Sequence, residues 1–204
     1  MANKIAAIDN GMSYHINALN DPEWADLIAA RPYLPELADT DLTAFDIVIV
    51  TCRSRPDLLA RHQGQFEDFL ARGGWLIASG ETRPDGWLSG VTFREATMNY
   101  WWWLEEGGES GVRLRAPQHP IAAAIPPPER IWHFHGVFEP PADAVSILET
   151  KDGGSILYDR FPPGGGRTTI MAVDPFFHHG SFFMPAATEF LRGFMPFLAT
   201  ANTF

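Results

Sequence analysis

The stretches FDIVIV (residues 45–50) and GGWLIASGE (73–81) decide the fold. Each is a short, almost unbroken apolar run, the pattern of a strand covered on both faces. The segment between them has helical spacing. Leu59, Gln63, Phe66, Phe69 and Leu70 recur at intervals of three and four, and Gly73-Gly74 ends the run. Ser54 and Asp57 stand three apart, as a helix N-cap and its reciprocal acid do, and Pro56 fits the first turn. The unit reads as β-α-β. A right-handed crossover makes its strands parallel and gathers their ends, Thr51-Cys52-Arg53 and Ser79-Gly80-Glu81, at one edge of the sheet. Ligands of open α/β sheets bind at that edge.

Working outward, KIAAID (4–9) predicts a first strand closed by an Asn10-Gly11 turn. Asp21-Pro22 signals a helix start, and Trp24, Leu27 and Ile28 give it an apolar face ending before Pro32. Residues 32–44 show no clean period. GETRPDGWLSG (80–90) reads as a loop leaving the sheet edge. The stretch 116–138 holds five prolines, which excludes a long helix. Strands are predicted at 144–150, 155–161 and 167–174, with KDGG and PPGGG as tight reversals that favour antiparallel pairing. Pro185 opens a helix with Phe190, Leu191, Phe194, Phe197 and Leu198 on one face, and Pro196 is expected to kink it. No repeat or low-complexity linker interrupts the chain. The expected architecture is one α/β domain over residues 1–204: a flavodoxin-like three-layer α/β/α sandwich whose mostly parallel sheet gains antiparallel strands near the C-terminal end.

Composition limits the partners. The 204 residues are 46% hydrophobic, enough for one well-buried core. Fifteen Lys and Arg stand against 25 Asp and Glu, a formal net charge of −10, so phosphate backbones and anionic membrane surfaces are repelled. Neither nucleic acid nor membrane is an expected partner. The single cysteine excludes an internal disulfide and fits a reducing compartment. The apolar run at the N-terminus is too short for a signal peptide, and no stretch approaches the roughly 20 residues of a membrane span. A cytoplasmic location is expected.

The order of these pieces resembles the class I glutamine amidotransferase-like superfamily, and within it the trehalose-utilisation (ThuA-like) branch. LTAFDIVIV looks like the family's strand with its Leu-x-x-Phe/Tyr-Asp lead, and FEDFLARGGWLIAS like its helix, double glycine and central strand. HPIAAAIP (119–126) resembles its His-Pro-Ile segment, and GGGRTTIMAVDP (164–175) its late Gly-Arg-led strand. Together they cover most of residues 42–198. The resemblance implies the fold but not the chemistry. The turn that carries the family's nucleophilic cysteine falls here at Ser79 or Gly80, and the His-Pro-Glu motif that supplies base and orienter corresponds to Asp174, Pro175 and Phe176. Glutaminase activity is therefore not expected.

Several side chains remain as candidates for other chemistry. Glu81, at a strand end, suits a general base or a ligand to hydroxyl groups. His178 or His179 would serve as a base, with Ser79 as its nucleophile, and Cys52 is the one candidate thiol. Asn10, Arg53, Ser79 and Trp102 are candidate substrate contacts. His133 and His135, two apart, fall on one face of an extended segment, and with Asp174 and His178 they could hold a metal ion. Their phenylalanine neighbours fit buried, hydrogen-bonded imidazoles equally well, so no metal is favoured and no cofactor expected. Trp101, Trp102 and Trp103 invite sugar stacking, with Glu105 and Glu106 beside them, although three adjacent side chains cannot share one face. The leading expectation is a small-molecule protein handling a polar compound such as a sugar derivative. The alternatives are a non-catalytic interaction module and a His/Asp metal-dependent enzyme. A homo-oligomer stays open.

Overall fold

The computed structural model describes residues 2–202. Its first half comprises β1 (Ile5–Ile8), α1 (Ser13–Leu19), β2 (Ile28–Ala30), β3 (Ile47–Val50), α2 (Pro56–Ala60), α3 (Gln63–Ala71) and β4 (Trp75–Ser79). The second half adds β5 (Phe93–Arg94), β6 (Val112–Leu114), α4 (Pro120–Ala124), β7 (Val137–Phe138), β8 (Ala144–Thr150), β9 (Ser155–Arg160), β10 (Arg167–Met171), α5 (Pro175–Gly180) and α6 (Pro185–Thr200). All strands join one sheet. β2-β1-β3-β4-β10 run parallel, the strand order of flavodoxin-like proteins. β9 then turns the sheet antiparallel and continues it through β7 and β5, while β8 pairs with β9 and β6.

The β3–β4 unit is as the apolar runs predict. Every residue of both strands is buried, and Ile47 to Val50 lie beside Trp75 to Ala78 in parallel register. β1 to β2 steps one way along the sheet and β3 to β4 the other, so right-handed crossovers put α1 and α3 on opposite faces. The double glycine has a packing reason: a Cβ on Gly74 would stand 2.3 Å from the Phe69 ring, so only glycine lets α3 settle this closely on β4.

Local expectations fail where a side chain found a different partner. The helix expected after Asp21 is a single 3₁₀ turn, Ala25–Leu27, followed by β2. There the Trp24 indole N–H reaches back to the Ala18 carbonyl, and Ile28 pairs with Ile5, which pulls the chain into the sheet. Ser54 does not cap a helix, because its hydroxyl faces Thr51 at 3.4 Å; the helix starts at Pro56 and breaks between α2 and α3. The strands expected to reach residues 161 and 174 stop at Arg160 and Met171. Pro196 does not interrupt α6: it and Arg192 are exposed, so the Arg192 carbonyl that loses a partner points toward water. Among the described residues no helix is long and apolar enough to cross a membrane.

Candidate functional site

Three parallel strands deliver their ends to one place. β3 leads into Cys52 and Arg53, β4 into Gly80 and Glu81, and β10 through Ala172 and Val173 into Asp174. The loop before β7 adds Trp132, His133 and His135, and α5 adds His178 one turn after Asp174. The last two are separated by i, i+4 spacing, which puts them on one side of the helix.

Asp174 is completely buried and is the centre of the arrangement. Its Oδ1 accepts from the Trp132 indole N–H at 3.2 Å and lies 3.0 Å from His178 Nε2. Its Oδ2 accepts from the Arg53 guanidinium at 3.3 Å and faces His135 Nε2 at 3.5 Å. Burial alone would push the carboxyl upward. Contacts from His135 and His178 outweigh it and hold Asp174 well below the usual carboxylate range, so the group is an anion at working pH. Arg53 also reaches Glu81 at 3.1 Å, and Glu81 in turn meets His135 Nδ1 at 3.3 Å. The Arg53 backbone is left-handed, φ 62°, a conformation that costs a non-glycine residue on the order of 1 kcal/mol or more. Its guanidinium lies 3.7 Å over the Phe177 ring, which helps to hold it there.

The imidazoles are poorly satisfied. His133 Nε2 and His178 Nε2 face each other at 3.0 Å, and His133 Nδ1, His178 Nδ1 and His135 Nε2 are buried without a hydrogen-bond partner. Burial pushes the His133 pKa down to about 4, so this ring is neutral near pH 7. One ligand-capable atom from each of His133, His135 and Asp174 lies within 4.8 Å of the other two.

An open cleft of about 930 Å³ begins at Glu81 and His135 and runs outward past Tyr100, Phe93 and Phe138. Aromatics crowd the surface nearby. Tyr100 packs on both His133 and His135, the Trp103 ring stacks over His133, and the exposed Phe183 packs on His178.

The sequence candidates separate clearly. Glu81, Arg53, His178, His133, His135 and Asp174 converge. Cys52 does not contribute a nucleophile: it is fully buried, its Sγ accepts the Phe177 N–H at 3.1 Å, and burial beside Asp174 pushes its thiol well up. Ser79 is also buried, with its hydroxyl donated to the Val50 carbonyl, so no base reaches it. His179 turns away from its neighbour, between Asp21 and Thr188 and against Trp24. Asn10 donates its backbone N–H to His15 Nδ1 and is no part of the cleft lining. Trp102 is half-buried with its indole N–H enclosed, and Trp103, not Trp102, reaches the imidazoles. Sequence reasoning missed Trp132 and His15. The latter donates Nε2–H to the Cys52 carbonyl at 2.8 Å and so ties α1 to the end of β3. An isolated tryptophan or histidine carries no spacing signal that would have found either.

The turn after β4 is tightly enclosed. Gly80 has φ 63°, the left-handed conformation of a tight strand-to-loop turn, and a Cβ there would stand 2.5 Å from Cys52 Cβ and 2.8 Å from Asp174 Cβ. The site has no room for a side chain at that turn.

No family model matches the chain, and no curated protein does. Solved structures do resemble it. A glutamine amidotransferase from Thermotoga maritima superposes with a TM-score of 0.64 at 10% identity, over 97% of this chain and 98% of that one. A putative GMP synthase component from Thermoplasma acidophilum gives 0.59 at 13%, over 98% and 96%. A cytoplasmic protein from Salmonella typhimurium gives 0.59 at 11%, over 96% and 99%. The molecule is thus a flavodoxin-like α/β protein. More narrowly, its fold is that of the class I glutamine amidotransferases, and at these identities the likeness is one of fold.

Proposed function

We propose that this protein binds and processes a small, polar, hydroxyl-rich molecule, such as a sugar derivative, at the C-terminal edge of its parallel strands, and that it does not hydrolyse glutamine. One observation carries the reading: Asp174, a buried anion ringed by three imidazoles and an arginine, stands where a cleft meets the sheet edge, beside a turn that excludes a nucleophile. Glu81 faces the cleft with its carboxylate held between Arg53 and His135, and is the group placed to take or return a proton at a substrate hydroxyl. Tyr100, Phe93 and Phe138 line the cleft and offer apolar surface for the ring side of such a molecule. The net charge of −10 supports a neutral small molecule over nucleic acid or a membrane surface, and the single, buried cysteine supports a cytoplasmic setting. The sequence segments of the ThuA-like branch favour a sugar as the substrate class.

A second reading, a protein-interaction module or self-associating chain, draws on the exposed Phe182, Phe183, Trp101 and Leu104. A thermal-shift screen with sugars, sugar acids, polyols and glutamine, run beside an ammonia-release assay, separates the readings. Stabilisation by a polyhydroxylated compound, lost in Glu81→Gln, is the expected result. Stabilisation by glutamine with ammonia release overturns the proposal. Failure of every compound, together with concentration-dependent association in the ultracentrifuge, favours the second reading.

A further inference from the structure

The inner end of the cleft poses a problem of unshared lone pairs. His135 lies between two carboxylates, with its Nδ1 3.3 Å from Glu81. Its Nε2, buried and without a hydrogen-bond partner, stands 3.5 Å from Asp174 Oδ2. The separation is too long for a hydrogen bond. It is close to the about 3.4 Å between two atoms that each bond one tetrahedral ion at ~2.1 Å. His133 approaches from the same loop, with its Nε2 3.0 Å from His178 Nε2 and its Nδ1 buried without a partner. Asp174 Oδ1 is taken by Trp132 and His178, while Oδ2, the oxygen turned toward His135, also accepts from the Arg53 guanidinium at 3.3 Å.

We infer that His133, His135 and Asp174 form a site for one divalent transition-metal ion of the zinc, cobalt or iron(II) type. The donor set argues for this class: two imidazoles and one carboxylate suit borderline ions, whereas magnesium and calcium prefer oxygen ligands throughout. Of the three, His135 lines the cleft, so an ion held there would stand at its inner end, where a metal can polarise a substrate oxygen or bound water. Glu81 and Trp132 hold His135 and the carboxylate in orientation. Arg53, the nearby cation, is shared with Glu81 at 3.1 Å, so the two acids together offset it. The inference deepens the small-molecule reading of the same cleft and rests on it.

The test uses the full chain, stripped with a chelator and titrated separately with zinc, cobalt and magnesium by calorimetry, with visible absorption followed for cobalt. One equivalent of zinc or cobalt is expected to bind, with a ligand-field spectrum of low coordination number and no comparable magnesium binding. His135→Gln and Asp174→Asn, checked for folding by circular dichroism, are expected to weaken zinc at least tenfold, and Trp101→Ala to leave it unchanged. No stoichiometric binding by wild type overturns the inference, as does binding that survives both ligand substitutions. The wild-type cobalt spectrum needs no variant to fold. The two proposals fail separately: a polyol that stabilises the stripped protein while zinc does not bind removes the metal alone, and zinc binding without any polyol response removes the substrate class alone.

Discussion

Asp159 on β9 and Asp174 just after β10 are both buried carboxylates, both held below the usual range, and both set among arginine and histidine. Their surroundings differ in completeness. Asp159 accepts two contacts from Arg167 Nε at 3.1 and 3.0 Å and another from the Thr169 hydroxyl at 2.7 Å, and it meets His119 at 3.2 Å. Thr169 in turn accepts from the Trp75 indole, and Arg167 lies 3.5 Å over that ring. The network is closed. Around Asp174 the imidazoles keep unpartnered nitrogens, the arginine has a left-handed backbone, and a cleft opens beside Glu81. A buried charge whose neighbours are all satisfied holds a sheet together, whereas one whose neighbours are short of partners is arranged for something that arrives.

The largest expected effect breaks the closed side. Asp159→Asn leaves Arg167 buried with a weakened partner and should cost about 3–5 kcal/mol in urea unfolding. Asp174→Asn should cost clearly less, about 1 kcal/mol, because Arg53 keeps Glu81 and the Trp132 N–H still finds an oxygen. Equal losses would erase the contrast. Next comes Gly80→Ala, which combines a left-handed backbone with a Cβ pressed onto Cys52 and Asp174, and should cost about 2–4 kcal/mol. A neutral result would reopen the turn to a nucleophile.

Acid stability gives a smaller effect with a definite sign. Burial lowers His15, and lowers His133 from 6.5 to about 4, so both rings stay neutral in the folded protein where the unfolded chain takes up protons. Each contribution is intact above the unfolded value of 6.5 and declines as pH falls below it, for His133 until about 4. Melting temperature should therefore fall between about pH 7 and about pH 4, and His15→Gln should flatten the slope. A slope unchanged by that substitution would mean that other groups set it. Cys52 offers a kinetic counterpart: iodoacetamide should modify it slowly in native protein at mildly alkaline pH and rapidly after denaturation. Equal rates would contradict a sealed thiol. Smallest of all, Trp101→Ala at the exposed surface should change stability by no more than about 0.5 kcal/mol.

The sequence made the parallel spine legible because β3 and β4 are uniformly apolar and their helix carries a clear period. Local punctuation was less dependable. Asp21-Pro22 and Ser54 gave true polar signals, but tertiary partners, the Ala18 carbonyl for Trp24 and Thr51 for Ser54, redirected the chain. The same holds at the site. Glu81, Arg53 and Asp174 could be named from strand ends, since topology fixes where strands end. His133 and His135 were named as an extended pair, yet they lie outside any strand and meet Asp174 through a loop. Trp132 could not be named, because its role comes from a contact 42 residues away in the chain.

Long-range ¹H–¹⁵N NMR of the seven imidazoles, recorded while zinc and then a polyol mixture are added, reads the central contrast most directly. The account predicts that His133, His135 and His178 move and that His15, His119 and His179 hold their tautomers. Shifts confined to His119 or His179, or no shifts in the three around Asp174, would contradict it.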